Sequence, residues 1–180
     1  MPILKKTDVR PLRPIIMVIY GTPGTGKTSL SNTSENPLLI DCDRGFDRAA
    51  NQVDTLTAQT WEDILSEEGS MKGYKTIIVD TAKSMLDDFL AVYGVKQDYK
   101  LSKNKLKLFG YIADEFKNFV NRRRSDCSDI IFVCHDKETQ EGDLIKHSPD
   151  CTGQSKDLLI RIADQVGFIT MINGKRTICF

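Results

Sequence analysis

Eight consecutive residues, Gly21-Thr22-Pro23-Gly24-Thr25-Gly26-Lys27-Thr28, match the pattern G-x-x-x-x-G-K-[ST] at every fixed position. At average residue usage, a chance match in a chain of this length is on the order of one per cent or less. The residue types state the chemistry. Gly21, Gly24 and Gly26 allow a turn tight enough to point successive backbone N–H groups inward as an anion nest. A helix starting at the end of the loop adds its positive N-terminal end. Lys27 brings an ammonium to the β- and γ-phosphates of a nucleoside triphosphate, and the Thr28 hydroxyl is a ligand for Mg²⁺. The segment through Ser29 is therefore the candidate ATP site, and Lys27→Ala is expected to abolish ATP binding while leaving the fold intact.

Phosphoryl chemistry also needs a carboxylate on the metal and a group that handles water. Ile77-Ile78-Val79-Asp80 reads as a strand ending in an acid. Strand carboxyl ends converge on the ligand crevice of open α/β sheets, so Asp80 is expected at the Mg²⁺ site. Capping a helix that starts after Thr81 is its competing role. Leu38-Leu39-Ile40-Asp41-Cys42-Asp43 places two acids past another strand. Asp43 is the candidate to orient or deprotonate water, with an N-cap role near Arg44 equally open; Asp41, nearer the strand end, suits structure. The run Ile130-Ile131-Phe132-Val133-Cys134 is followed by His135-Asp136, where a polar side chain can sense the γ-phosphate. His135 is the candidate for that role.

These side chains need a scaffold that delivers several strand ends to one edge. Ile15-Ile16-Met17-Val18-Ile19-Tyr20, Leu38-Leu39-Ile40, Thr76-Ile77-Ile78-Val79, the run from Ile130, and Val166-Gly167-Phe168-Ile169-Thr170-Met171-Ile172 are apolar at consecutive positions. Strands covered on both faces read that way, which implies a mostly parallel sheet between helices. Arg176-Thr177-Ile178-Cys179-Phe180 reads as one more strand. Four amphipathic stripes lie between the runs. Trp61, Ile64 and Leu65 form the first, with Thr60 and Asp63 close to a capping box. Met85, Leu86, Phe89, Leu90 and Tyr93 form the second; Phe109, Ile112, Phe116, Phe119 and Val120 the third; Leu158, Leu159, Ile162 and Ala163 the fourth. Strand–helix alternation predicts right-handed βαβ units in a three-layer α/β domain of the P-loop NTPase class. The domain is placed at residues 15–180, behind an extended arm at residues 1–14 that carries Pro2, Pro11 and Pro14.

Composition sets outer limits. The 180 residues suit one domain, and 25 Lys+Arg against 25 Asp+Glu leave no global field toward nucleic acid or an anionic membrane. No apolar run approaches the roughly 18 residues of a membrane span. Five cysteines without Cys-x-x-Cys suit buried thiols in a reducing cytoplasm, with Cys42, Cys134 and Cys179 beside apolar runs. A zinc reading of Cys127, Cys134, His135, His147 and Cys151 fits no common finger spacing. Residues 136–149 read as a hairpin or loop beside the γ-phosphate. Lys96, Lys100, Lys103, Lys105 and Lys107, interleaved with Tyr93, Tyr99 and Tyr111, are either a solvated face or a single-strand contact. Arg122-Arg123-Arg124 suits the end of a helix.

Taken together, these pieces resemble the RecA-like branch of P-loop ATPases, from Ile15 onward. Leu39-Ile40-Asp41-Cys42-Asp43-Arg44-Gly45-Phe46-Asp47 resembles the segment that activates water there, with Asp43 falling on the family's glutamate, one methylene shorter. Residues 77–80 resemble the metal-holding strand. Phe132-Val133-Cys134-His135 resembles the strand ending in the γ-phosphate sensor, usually Gln. His135-Asp136-Lys137 and Ala163-Asp164-Gln165-Val166 also resemble small phage-encoded AAA/RecA-like ATP-binding proteins associated with single-strand annealing recombination. That resemblance implies an ATPase that works with single-stranded DNA, often as a homo-oligomer. It further implies that the strand ending at His135 lies between the phosphate-loop strand and the strand ending at Asp80. A P-loop small-molecule kinase and a nucleotide-binding scaffold with little turnover are the alternatives.

Overall fold

The computed structural model describes residues 13–152 and 154–180. Most of the expected arm, residues 1–12, lies outside them. In chain order, β1 (Ile16–Gly21) leads through the glycine loop into α1 (Lys27–Ser31), then β2 (Pro37–Asp41), a 3-10 turn (Phe46–Arg48) and β3 (Asp54–Thr57). There follow α2 (Trp61–Ser66), β4 (Thr76–Asp80), a π-helical stretch (Ser84–Leu90) running into α3 (Ala91–Gln97), and α4 (Lys105–Ser125). The chain closes with β5 (Asp129–Glu141), β6 (Leu144–Pro149), α5 (Gln154–Ile162), β7 (Gln165–Ile172) and β8 (Lys175–Cys179).

The sheet runs β3-β2-β4-β5-β1-β7-β8, with β6 paired to the outer half of β5. All neighbours along that path are parallel except the β7–β8 hairpin. β5 therefore lies between β1 and β4, the order implied by the RecA-like resemblance. Residues 136–149 form the β5–β6 hairpin, turning at Gly142 with φ 62. The β7–β8 hairpin turns on Asn173-Gly174, both at positive φ, a dipeptide suited to the tight turn between twisted strands.

Alternation along the strands splits the buried residues between two faces. On one face Ile16, Val18, Ile40, Ile77, Val79, Ile130 and Phe132 join Trp61, Met85, Phe116 and Phe119 in a large core under α2, the π stretch, α4 and α5. Trp61 meets Phe119 edge-on at 5.7 Å and Phe116 lies 5.3 Å from Phe132. On the other face Leu39, Ile78 and Val133 form a small cluster with Phe46, Val53 and Ile131. α1 and the segment after Phe46 cover that side, tied by Asn32 Nδ2 donating to Asn51 O and by Ala50 N–H donating to Ser29 Oγ. The three-layer expectation holds, with very unequal helical layers. Right-handed crossovers explain the split. Connections moving from β1 toward the β3 edge must use one face, and those returning toward β7 the other.

Local signals act as expected in α2, where Thr60 Oγ1 accepts from Asp63 N–H and Asp63 accepts from Thr60 N–H. Two expectations are corrected. Cys179, like Cys127, is exposed, because β8 is the edge strand; Cys42, Cys134 and Cys151 are the buried thiols. The arginines ending α4 do more than face a helix terminus. Buried Arg123 lies against Glu68 and Asp126 and over the Phe119 ring, Arg122 pairs with Glu68, and Arg124 with Asp164. Among the described residues no helix is long and apolar enough to cross a membrane.

Candidate functional site

Strand register places the chemistry. Gly21 at the end of β1 pairs with His135 on β5, and Asp41 at the end of β2 pairs with Asp80 on β4. Gly21, Asp41 and Asp80 end their strands along one edge of the sheet, where open α/β sheets bind ligands, and His135 lies level with Gly21 on β5, which does not end there as expected but runs on through Glu141 into the hairpin. Gly21 has no room for a side chain, since a Cβ there would lie 2.3 Å from the carbonyl oxygen of Ile169 on β7. Gly24 and Gly26 take φ of 79 and 87, the left-handed region that favours glycine. Thr22, Pro23 and Gly24 form the exposed crest of the loop, and Thr25 is tucked in with its hydroxyl donating to Thr22 O at 2.8 Å.

Lys27 is buried beneath this arch, and its Nζ donates to Gly21 O and Thr22 O, both at 2.9 Å. Burial lowers its pKa, opposed by the nearby carboxylates, Asp80 first. The ammonium is thus held on two neutral carbonyls, which an anion in the loop would outcompete. Thr28 Oγ1 donates to Asp80 Oδ2 at 2.5 Å, so the hydroxyl and the acid expected on Mg²⁺ meet directly. Burial raises the Asp80 pKa, with the Thr28 bond pulling the other way. Ser29 turns its hydroxyl to the Ala50 amide, while the residue itself still lines the cavity.

The loop after β2 separates its two acids. Asp41, fully buried, accepts from the N–H groups of Gly45 at 3.0 Å and Phe46 at 3.4 Å and so shapes the turn. Arg44 there adopts φ 60. Asp43 is left at the cavity, and its carboxyl is pushed up to about 6 by desolvation, then by Asp80 and Asp41, with His135 opposing. A carboxyl in that range can take a proton from water near neutral pH.

Lys27, Thr28, Asp43, Asp80 and His135 together line a cavity of about 310 Å³ over Gly24 and Gly26. His135 lines this cavity, and among the described residues its buried Nδ1 has no hydrogen-bond partner. A glycine arch, a lysine resting on carbonyls, a hydroxyl–carboxylate pair and an unsatisfied imidazole are a donor set that fits a triphosphate with Mg²⁺. Two charged lining residues were not legible as site residues, Arg48 and Arg176. Arg48 arrives on the 3-10 turn after β2. Arg176 arrives through the β7–β8 hairpin, whose Asn173-Gly174 turn was the available signal.

The zinc set does not assemble. Among the described residues, the one group of His, Cys or acidic side chains within ligand distance is Asp136, Glu138 and His147 on the hairpin. His147 Nδ1 lies 2.6 Å from Asp136 Oδ2, and its ring stacks on Phe168. In the lysine–tyrosine stretch, Lys96 pairs with Glu62 and Lys103 sits 5.5 Å over the exposed Tyr99 ring.

A family model described as an AAA domain matches residues 13–180. A solved structure described as the crystal structure of the RadB recombinase superposes with TM-score 0.51 at 13% identity, covering 89% of this chain and 77% of that one. At that identity the likeness is one of fold, and the fold is RecA-like. No curated protein matches the chain.

Proposed function

The chain belongs to the AAA domain family, and from that premise we propose that it is a Mg²⁺-dependent ATPase of RecA-like fold acting on single-stranded DNA in phage-type recombination or annealing. The observation that carries the ATPase reading is the Thr28–Asp80 contact at the mouth of the glycine loop. In this reading residues 21–29 cradle the phosphates of ATP, and Lys27 leaves the carbonyls of Gly21 and Thr22 for the β- and γ-phosphates. Thr28 and Asp80 hold Mg²⁺. Asp43 orients and deprotonates the attacking water, and His135, which lines the cavity, offers its imidazole to the γ-phosphate. The bound metal supplies charge neutralisation on the phosphoryl oxygens.

Single-stranded DNA and assembly of several copies are supported by the sequence resemblance and by a structural neighbour described as a recombinase. ATP turnover with and without single-stranded DNA is the test. Stimulation by DNA supports the reading, and turnover only with a small hydroxyl compound would replace it with a kinase. ATP binding without turnover under either condition would leave a nucleotide-binding scaffold, the outcome expected of an Asp43 side chain too short to position water.

A further inference from the structure

A second groove, of about 360 Å³, opens beside the phosphate cavity and shares Gly26, Ser29 and Arg176 with it. Its floor is apolar: Leu30 from α1, Ile169 from β7 and Ile178 from β8. The register explains why the two adjoin. Gly21 pairs with Ile169, and Ile169 pairs with Ile178, so the floor extends sideways from the first residue of the phosphate loop. Leu30 is 44% exposed here, and Ile178 is half-buried. Arg176, two residues before Ile178, stands on the same face of β8.

Arg176 marks the junction. Its guanidinium lies beside the loop at Gly26, where a Cβ would meet Nη1 at 3.2 Å and Cζ at 3.4 Å. Among the described residues it has no ion pair and no side-chain hydrogen bond, although it stands over a charged cavity. A nucleotide whose phosphates fill the loop leaves its ribose and base outside it, and the groove opens at Ser29 and Leu30, which follow Thr28 in α1. A purine has two apolar faces, and a guanidinium stacks on such faces where an ammonium cannot. The two cavities together fall in the size range of small-molecule sites.

We propose that this groove seats the base and ribose of the bound nucleotide, with Leu30 and Ile178 beneath the ring and Arg176 as a planar clamp at its phosphate end. The assignment rests on the phosphate reading of the loop and adds to it a residue that no part of the loop motif contains. The site would grip the base chiefly by its faces.

The test compares binding of Mg-ATP and of inorganic tripolyphosphate with Mg²⁺ by isothermal titration calorimetry, for the wild type, Arg176→Ala and Arg176→Lys. Arg176 is exposed on an edge strand, so both variants should fold; their melting curves verify it. Arg176→Ala should weaken ATP about tenfold, the span of a desolvated cation–π contact, while tripolyphosphate stays within about twofold. Arg176→Lys should recover little of the loss. Unchanged ATP affinity in Arg176→Ala overturns the clamp. Equal weakening of ATP and tripolyphosphate also overturns it, making Arg176 a phosphate ligand instead. A wild type that binds neither ligand removes the loop assignment itself, a failure distinct from the other two.

Discussion

The two faces of the sheet are built for different ends. One carries Trp61, Met85, Phe116, Phe119 and Phe132 in a continuous apolar core under four helical segments. The other offers Leu39, Ile78 and Val133 to a five-residue helix and a short 3-10 turn. The heavily covered face holds the fold, and the thinly covered one leaves the edge above it open for the glycine loop, the Thr28–Asp80 pair and the cavity they line. The polar cost falls there too. Asp41, Asp43 and Asp80 repel one another, with Lys27 beside Asp80 and Asp43 as the opposing charge.

If the faces divide stability from chemistry in this way, substitutions should sort accordingly. The largest effect is expected from Asp43→Ala, which should lower ATP turnover by about 10²- to 10⁴-fold with ATP affinity retained, read as a kcat loss without a matching change in Kd. A comparable loss of affinity would move Asp43 from water activation to binding. On the opposite face, Phe116→Ala should cost about 3–5 kcal/mol of unfolding free energy in urea denaturation, while ATP affinity of the folded fraction holds. Leu39→Ala, on the sparsely packed side, should cost less, about 2 kcal/mol. Equal losses for Phe116 and Leu39 would erase the contrast between the faces.

The smallest effect concerns charge. The folded-state value of Asp43 stands near 6, above the ordinary carboxyl value of about 3.9, so ionising it opposes folding. That penalty is absent below about pH 4, where both states are protonated, and complete above pH 6. Asp43→Asn should therefore raise the melting temperature of the metal-free protein slightly at pH 7.5 and not at pH 4, by differential scanning fluorimetry. The opposite pH order would mean that Asp43 is stabilised as an anion.

What the sequence disclosed follows from the range over which each feature is determined. The glycine loop is contiguous, so Gly21 to Thr28 spell their geometry locally. Asp80 and His135 were legible because each ends a buried run, and strand ends share an edge. β3 was missed because Asp54-Thr55-Leu56-Thr57 holds a single apolar residue, as a partly exposed edge strand can. Arg123 reads as a helix-end cation until Glu68 is brought to it from the chain after α2, beside its own helix neighbour Asp126. Arg176 is the sharpest case. Its place over Gly26 depends on the pairing of β1, β7 and β8 and on the Asn173-Gly174 turn, all long-range relative to the loop.

The proposed function rests on Lys27, which donates to the carbonyls of Gly21 and Thr22, exchanging them for phosphate oxygens when a nucleotide binds. Calorimetric titration of Mg-ATP into the wild type and Lys27→Ala tests it most directly. Truncating one partner of a buried charge pair costs about 2–5 kcal/mol, a loss of roughly 30-fold or more in affinity. The account predicts at least that loss, with an unchanged circular dichroism spectrum. Wild-type affinity in a folded Lys27→Ala protein would contradict it.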